Sequence, residues 1–186
     1  MLVLGHAGIT LGAAALLTGA ASGGRTGRMP RFTALSQYVD IRLLFLGSML
    51  PDIIDKPVGL YFFRETLSNG RIFCHTLLFL VLLAAGGLFL FKSRRRVWLL
   101  TLAAGTLAHL VLDRMWLTPR TLLWPFFGTA FDRIELYDWM SNILEALFQN
   151  AAIYIPEAIG FVILLWFGIT LLARRKVIAF LMSGEL

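Results

Sequence analysis

Apolar residues in this chain come in blocks of nearly bilayer length. Residues 2–21, 72–91, 97–117 and 154–173 are each close to the roughly 20 apolar residues that cross a hydrocarbon core as a helix. The first block is rich in Ala, Gly and Leu, and small residues favour close packing of one membrane helix on another. A fifth block, 33–50, is less regular. Leu43-Leu44-Phe45-Leu46 is apolar, but Asp40 and Arg42 lie in the same stretch. It reads as a packed, tilted span or as a helix lying at the interface. Pro51 and Pro57 argue against a continuous helix through Gly47–Pro57. Residues 58–70 read as an interfacial loop, with Tyr61, Phe62 and Phe63 as aromatic anchors. Residues 22–31 form a Gly-rich basic linker. Residues 118–153 are mixed, with turn signals at Pro119 and Trp124-Pro125 and a weak helical pattern over 136–149. No internal repeat is present.

Composition strengthens the membrane reading: 58% of the 186 residues are hydrophobic, and the mean hydropathy is +0.77. A net charge of +6 would elsewhere point to nucleic acid. Here the basic residues cluster beside the spans, in 25–31, 92–96 and 174–176. That placement carries topology and attraction to anionic lipid, and no nucleic-acid partner is expected. A single cysteine, Cys74, rules out an intrachain disulfide framework. No Lys or Arg precedes the first apolar block, so an uncut first span is expected instead of a cleaved signal, which keeps His6.

The three basic clusters should face the cytoplasm, and the 118–153 segment, where acids outnumber Arg120 and Arg133, should lie outside. Five crossings follow, with the N-terminus outside and the C-terminus inside, provided that 33–50 crosses. This orientation brings His6, Asp52, Asp55, His75, His109 and Asp113 to one depth, near the extracytoplasmic face. His109 and Asp113, four residues apart on one helical face, lie about 18 and 24 Å from the cytoplasmic end of their span.

Histidine and carboxylate side chains are costly in apolar helices without a partner and are common ligands of divalent metals. Asp52, His75, His109 and Asp113 would hold a principal ion, Asp52 would be placed to bridge two, and His6 and Asp55 would assist or serve the second. Zn²⁺ suits this set best, with Mn²⁺ as the other candidate, and bound metal would activate water. Arg71 or Arg114 could hold a phosphate oxygen. Plainer readings exist for each residue: an interhelical hydrogen bond for His6, a turn or cap for Asp52, an ion pair of Asp55 with Lys56, and a buried ion pair of Asp113 with Arg114. Glu135, Asp138 and Glu145 read as solvated charges, and Trp98, Trp116, Trp124, Trp139 and Trp166 as interface belt or packing.

Three segments carry a resemblance: Leu50-Pro51-Asp52-Ile53-Ile54-Asp55-Lys56-Pro57, Arg71-Ile72-Phe73-Cys74-His75-Thr76-Leu77 and His109-Leu110-Val111-Leu112-Asp113-Arg114-Met115-Trp116. In this order they resemble the membrane-bound metal-dependent hydrolase family of inner-membrane hydrolases, one branch of which is LexA-binding. The resemblance runs from His6 to about Gly128. It departs from a common family form at Gly70-Arg71, where that form has His-Arg, and at Cys74-His75-Thr76, where it has Thr-His-Ser. The order His6, Asp52, His75, His109, Asp113 is also distantly similar to zinc-dependent phospholipase C and single-strand nucleases, whose later His and Glu ligands have no counterpart here. The likeness implies phosphoester hydrolysis with one or two ions.

The expectation is therefore an all-α, polytopic helical bundle of the inner membrane, a single domain over 1–186 with about five spans. The activity expected is metal-dependent hydrolysis of a lipid or lipid-linked phosphoester. The alternatives are a non-catalytic protein with a structural ion or polar network, and a divalent-ion transporter, although the repeated halves typical of transporters are missing.

Overall fold

In the computed structural model, residues 3–21, 31–133 and 149–184 are described; the linker over 22–30 and most of the 136–149 pattern, with Glu135, Asp138, Trp139 and Glu145, lie outside them. The described residues are helical, with no strand. They form α1 (Val3–Ala21), α2 (Arg31–Ser36), α3 (Ile41–Lys56), a π-helical turn (Pro57–Phe62), α4 (Leu77–Arg94), α5 (Trp98–Leu112), a 3₁₀ turn (Met115–Leu117), α6 (Pro119–Leu122), α7 (Ala151–Ala173) and α8 (Val177–Ser183).

The irregular 33–50 block resolves into two helices. Asp40 ends the first stretch and caps the second: its Oδ1 accepts from the Arg42 backbone N–H at 2.9 Å. The Arg42 guanidinium grips both Asp40 oxygens, which holds that carboxyl below the usual carboxylate range, and a third Arg42 nitrogen reaches the Leu181 carbonyl in α8. The expected break at Pro51 does not occur. Pro51 lies inside α3, which runs on to Lys56 and into the π-helical turn. A proline costs the helix one backbone donor, here to the Gly47 carbonyl. The Thr106 hydroxyl of α5 supplies a replacement at 3.3 Å.

Helix α4 begins at Leu77, five residues later than the hydrophobic block, because Thr76 is its N-cap: the Thr76 Oγ1 accepts from the Phe79 N–H. His75 therefore lies before the helix and not in its first turn. Helix α5 likewise stops at Leu112, with Asp113 as its C-cap. Helix α7 starts three residues earlier than expected, capped by the Asn150 side chain.

Helix α3 packs along α5, α1 along α7, and α4 against α5, while α1 also touches α2, α3 and α5. Two glycine pairs set the closest crossings. A Cβ on Gly47 would lie 2.5 Å from the Leu102 carbonyl oxygen, and one on Gly105 would lie 2.6 Å from Ser48 N. Gly8 and Gly160 meet backbone to backbone in the same way. Small residues let membrane helices approach to this distance.

The apolar core, from Leu11, Phe32, Ile41, Leu44, Phe167, Leu171 and Phe180, fills one end of the bundle. The same end carries Arg95, Arg174 and Arg42. Helices α4 and α7 are long and apolar enough to cross a membrane, and shorter apolar stretches, Val3–Thr18 and Trp98–Leu112, lie in α1 and α5. Large side chains such as Leu82, Phe89, Val162 and Leu172 are exposed on these two long helices. A contiguous apolar surface of this kind is suited to lipid.

Candidate metal centre

The other end of the bundle gathers the polar residues. His6, His75, His109 and Asp55 are fully buried, and Asp52 nearly so. Five chain segments meet there: the start of α1, the end of α3, the 71–76 segment, the end of α5 and the start of α7.

For His109 and His75, the role of Nε2 follows from what Nδ1 touches. His109 Nδ1 lies 2.7 Å from the Ser48 backbone carbonyl, one residue past the carbonyl that Pro51 releases. A carbonyl only accepts, so Nδ1 carries the proton and Nε2 presents a lone pair. His75 Nδ1 lies 2.7 Å from Asp55 Oδ2, which fixes the same tautomer. That carboxylate is itself held by the 71–76 segment. It accepts from the backbone N–H groups of Ile72 at 2.9 Å, Cys74 at 3.0 Å and His75 at 3.1 Å.

The two Nε2 atoms therefore face each other, 3.2 Å apart. Asp52 Oδ1 lies 3.6 Å from that of His75 and 4.0 Å from that of His109. Three ligand-type atoms converge: without a cation, a proton shared between the facing Nε2 atoms satisfies the contact, and a divalent ion would take that proton's place. Two nitrogens at Zn–N distances of 2.0–2.1 Å in a tetrahedral site stand about 3.3 Å apart, close to the separation found. The residues thus fit a divalent ion, and Asp55 is the carboxylate behind the ligand, of the kind that orients metal-bound histidines.

A second group shares His109. His6, His109 and Asp113 also bring ligand atoms within reach of one another. The His6 ring stacks on His109 with centroids 4.2 Å apart, and His6 Nε2 is 3.1 Å from Asp113 Oδ1. Helix α1 is held in this register by Glu157 of α7, a buried carboxylate that accepts from the Gly5 N–H at 3.1 Å.

All five expected ligands are thus brought together, but in two groups. Asp113 joins His6 instead of the Asp52 group. Asp55 stands behind His75 and is not among the grouped ligand atoms. Neither of the neighbour ion pairs weighed as plainer readings forms. Lys56 pairs with Asp52 Oδ2 at 2.7 Å and not with Asp55, and Asp113 Oδ2 pairs with Arg71 at 2.7 Å and not with Arg114. Arg114 is exposed, in a left-handed conformation with φ 53°, and among the described residues makes no hydrogen bond or ion pair with the cluster. Sequence reasoning missed Lys56 as a partner of Asp52, the Ser48 carbonyl, and Glu157. The signal for Glu157 was available, since an acid inside the 154–173 block needs a buried partner.

No curated protein and no solved structure matches the chain. A family model does, described as YdjM inner membrane protein, over residues 1–182. The apolar helices α4 and α7 accord with that description, and the chain belongs to the YdjM inner membrane protein family.

Proposed function

We propose that this protein is a metal-dependent hydrolase embedded in the inner membrane, acting on a phosphoester of a lipid or lipid-linked substrate at the extracytoplasmic face. The observation that carries the reading is the pair of Nε2 atoms of His75 and His109 facing each other at 3.2 Å beside Asp52. Such a site would hold a divalent ion, Zn²⁺ first by ligand chemistry and Mn²⁺ next. An ion held there supplies positive charge that acidifies water and polarises a phosphoryl oxygen.

The chain's own groups have distinct tasks. Asp52, His75 and His109 hold the principal ion, and His6 and Asp113 hold or stabilise a second. Asp55 fixes the His75 ring. Arg71, half exposed and bonded to Asp113, is placed to take a phosphate oxygen, whereas Arg114 is not. The proposed topology has five crossings by α1, α3, α4, α5 and α7, with the N-terminus outside and the C-terminus inside. It rests on the basic residues at the end of the bundle opposite the histidines. Helices α3 and α5, at 16 and 15 residues, reach only about 22–24 Å, so each would cross with help from its flanking turn.

Metal analysis of the purified full chain tests the site. Wild type is expected to retain about one equivalent or more, and His109→Ala and Asp52→Ala to lose it. Unchanged metal content in both variants would sink the site. Phosphate or headgroup release from a phospholipid panel then tests the chemistry: bound metal without release assigns a structural ion instead.

A further inference from the structure

The two ligand carboxylates at this centre are used asymmetrically. Asp52 turns Oδ1 toward His75 and His109 and Oδ2 toward Lys56 Nζ. Asp113 turns Oδ1 toward His6 and Oδ2 toward Arg71. Each carboxylate thus has a histidine side and a cation side. The aspartate side chains are 8% and 3% exposed, whereas those of Lys56 and Arg71 are 39% and 43% exposed. The cations therefore mark where the buried cluster meets the exterior.

The two cations are also drawn together by the chain. Lys56 packs its stem over Gly70, the residue before Arg71: a Cβ at Gly70 would stand 3.3 Å from Lys56 Cγ. Arg71 is held from its other side, where its backbone N–H donates to Asn69 Oδ1 at 2.8 Å, and Asn69 in turn donates to the Asp132 carbonyl.

We infer that Lys56 and Arg71 form a two-pronged anion seat over the His/Asp cluster, and that its ligand is the phosphate group of the substrate. The inference rests on the hydrolase reading above and supplies its substrate-binding residues. An ammonium has three N–H donors and a guanidinium five. Among the described residues, each side chain is hydrogen-bonded or ion-paired to one carboxylate oxygen only. The remaining donors have no partner among the described residues. A cation on the histidine side draws charge from the same carboxylates, which weakens their hold on Lys56 and Arg71 and leaves both heads to bind an arriving anion. Arg presents a planar fork matched to phosphate oxygens, and Lys a mobile point charge. Tyr61, Phe62 and Phe63, at the end of the π-helical turn that follows Lys56, are exposed, as aromatic side chains at a membrane interface are. They favour a phosphate carried by a lipid over a free one.

The test is calorimetric titration of the full chain in detergent, with added Zn²⁺, using inorganic phosphate and a short-chain phosphatidate as probes. Metal content is measured in every sample. Lys56→Gln and Arg71→Gln are each expected to weaken probe binding about tenfold, the worth of one charge-assisted hydrogen bond, at unchanged metal content. Lys56→Arg, which keeps the charge, should retain binding and guards against a folding artefact. Wild-type affinity in both Gln variants overturns the seat. So does loss of metal in either, since the cations would then serve only the carboxylates. Wild type that binds phosphate but takes up no metal keeps the seat and sinks the hydrolase reading. Wild type that takes up metal but binds neither probe sinks the seat alone. Tighter binding of phosphatidate than of phosphate assigns a lipid source, and equal binding a free ester.

Discussion

Asp55 is a fully buried carboxylate, yet its charge is well met. Three backbone N–H groups and the His75 ring converge on it. Asp55→Ala would strand those donors in a buried pocket, at a cost of about 3–5 kcal/mol for breaking such a cluster. The unfolding midpoint in detergent should fall clearly. Metal affinity should drop about 10–100-fold, because His75 loses the group that fixes its tautomer. An Asp55→Ala protein with wild-type metal affinity would remove Asp55 from this role. At the same scale, the ligand types were legible in the sequence but their pairings were not. Asp55-Lys56 and Asp113-Arg114 are neighbours in the chain, but Asp55 and Lys56 lie on α3, where neighbours point about 100° apart, and Arg114 follows the end of α5 in a left-handed conformation. The partner found for Asp52 is instead Lys56, one turn on at i+4, and Asp113 is met by an arginine from another segment.

The element that positions the centre is the α3–α5 crossing. Gly47 and Gly105 let the two backbones touch, which puts Ser48 O within reach of His109 Nδ1. Gly105→Ala should push the helices apart and destabilise the protein by about 1–3 kcal/mol, the usual range for overpacking. Its metal content should fall with its stability. Gly168→Ala, where a Cβ meets nothing within 4 Å, is the matched control and should leave both unchanged in thermal unfolding and metal analysis. Equal behaviour of the two variants would separate the crossing from the site. The apolar blocks that became α1, α4, α5 and α7 were legible because length and hydropathy are local properties. The continuation of α3 through Pro51 was not, because the donor that replaces the lost one at the Gly47 carbonyl comes from Thr106, 59 residues from Gly47. The late start of α4 was hidden for a similar reason: the backbone of 72–75 is satisfied by Asp55 from α3 and has no need of a helix.

For the molecule as a whole, the basic turn after α4 and the His/Asp cluster lie at opposite ends of the bundle. The proposed topology predicts that a periplasm-active reporter inserted at 66–68 is active, whereas one at 93–96 is silent. A cytoplasm-active reporter at the C-terminus should be on. The same side reported at 66–68 and at 93–96 would overturn the arrangement. Charge placement alone gave the expectation of one depth for the six ligand-type residues; in the structure they meet at one end of the bundle.

The sharing of His109 has a consequence for how the centre fills. With Nδ1 committed to Ser48, this imidazole has a single lone pair to give, yet both groups need it. Two ions cannot both be fully ligated at once. If the proposed ions bind, occupancy of one seat would deprive the other of this donor, and a second ion would bind at a disadvantage. A vacancy beside a tightly held ion is where an outside oxygen atom can bind. The same imidazole that would limit loading would therefore also leave room beside a bound ion for something other than protein.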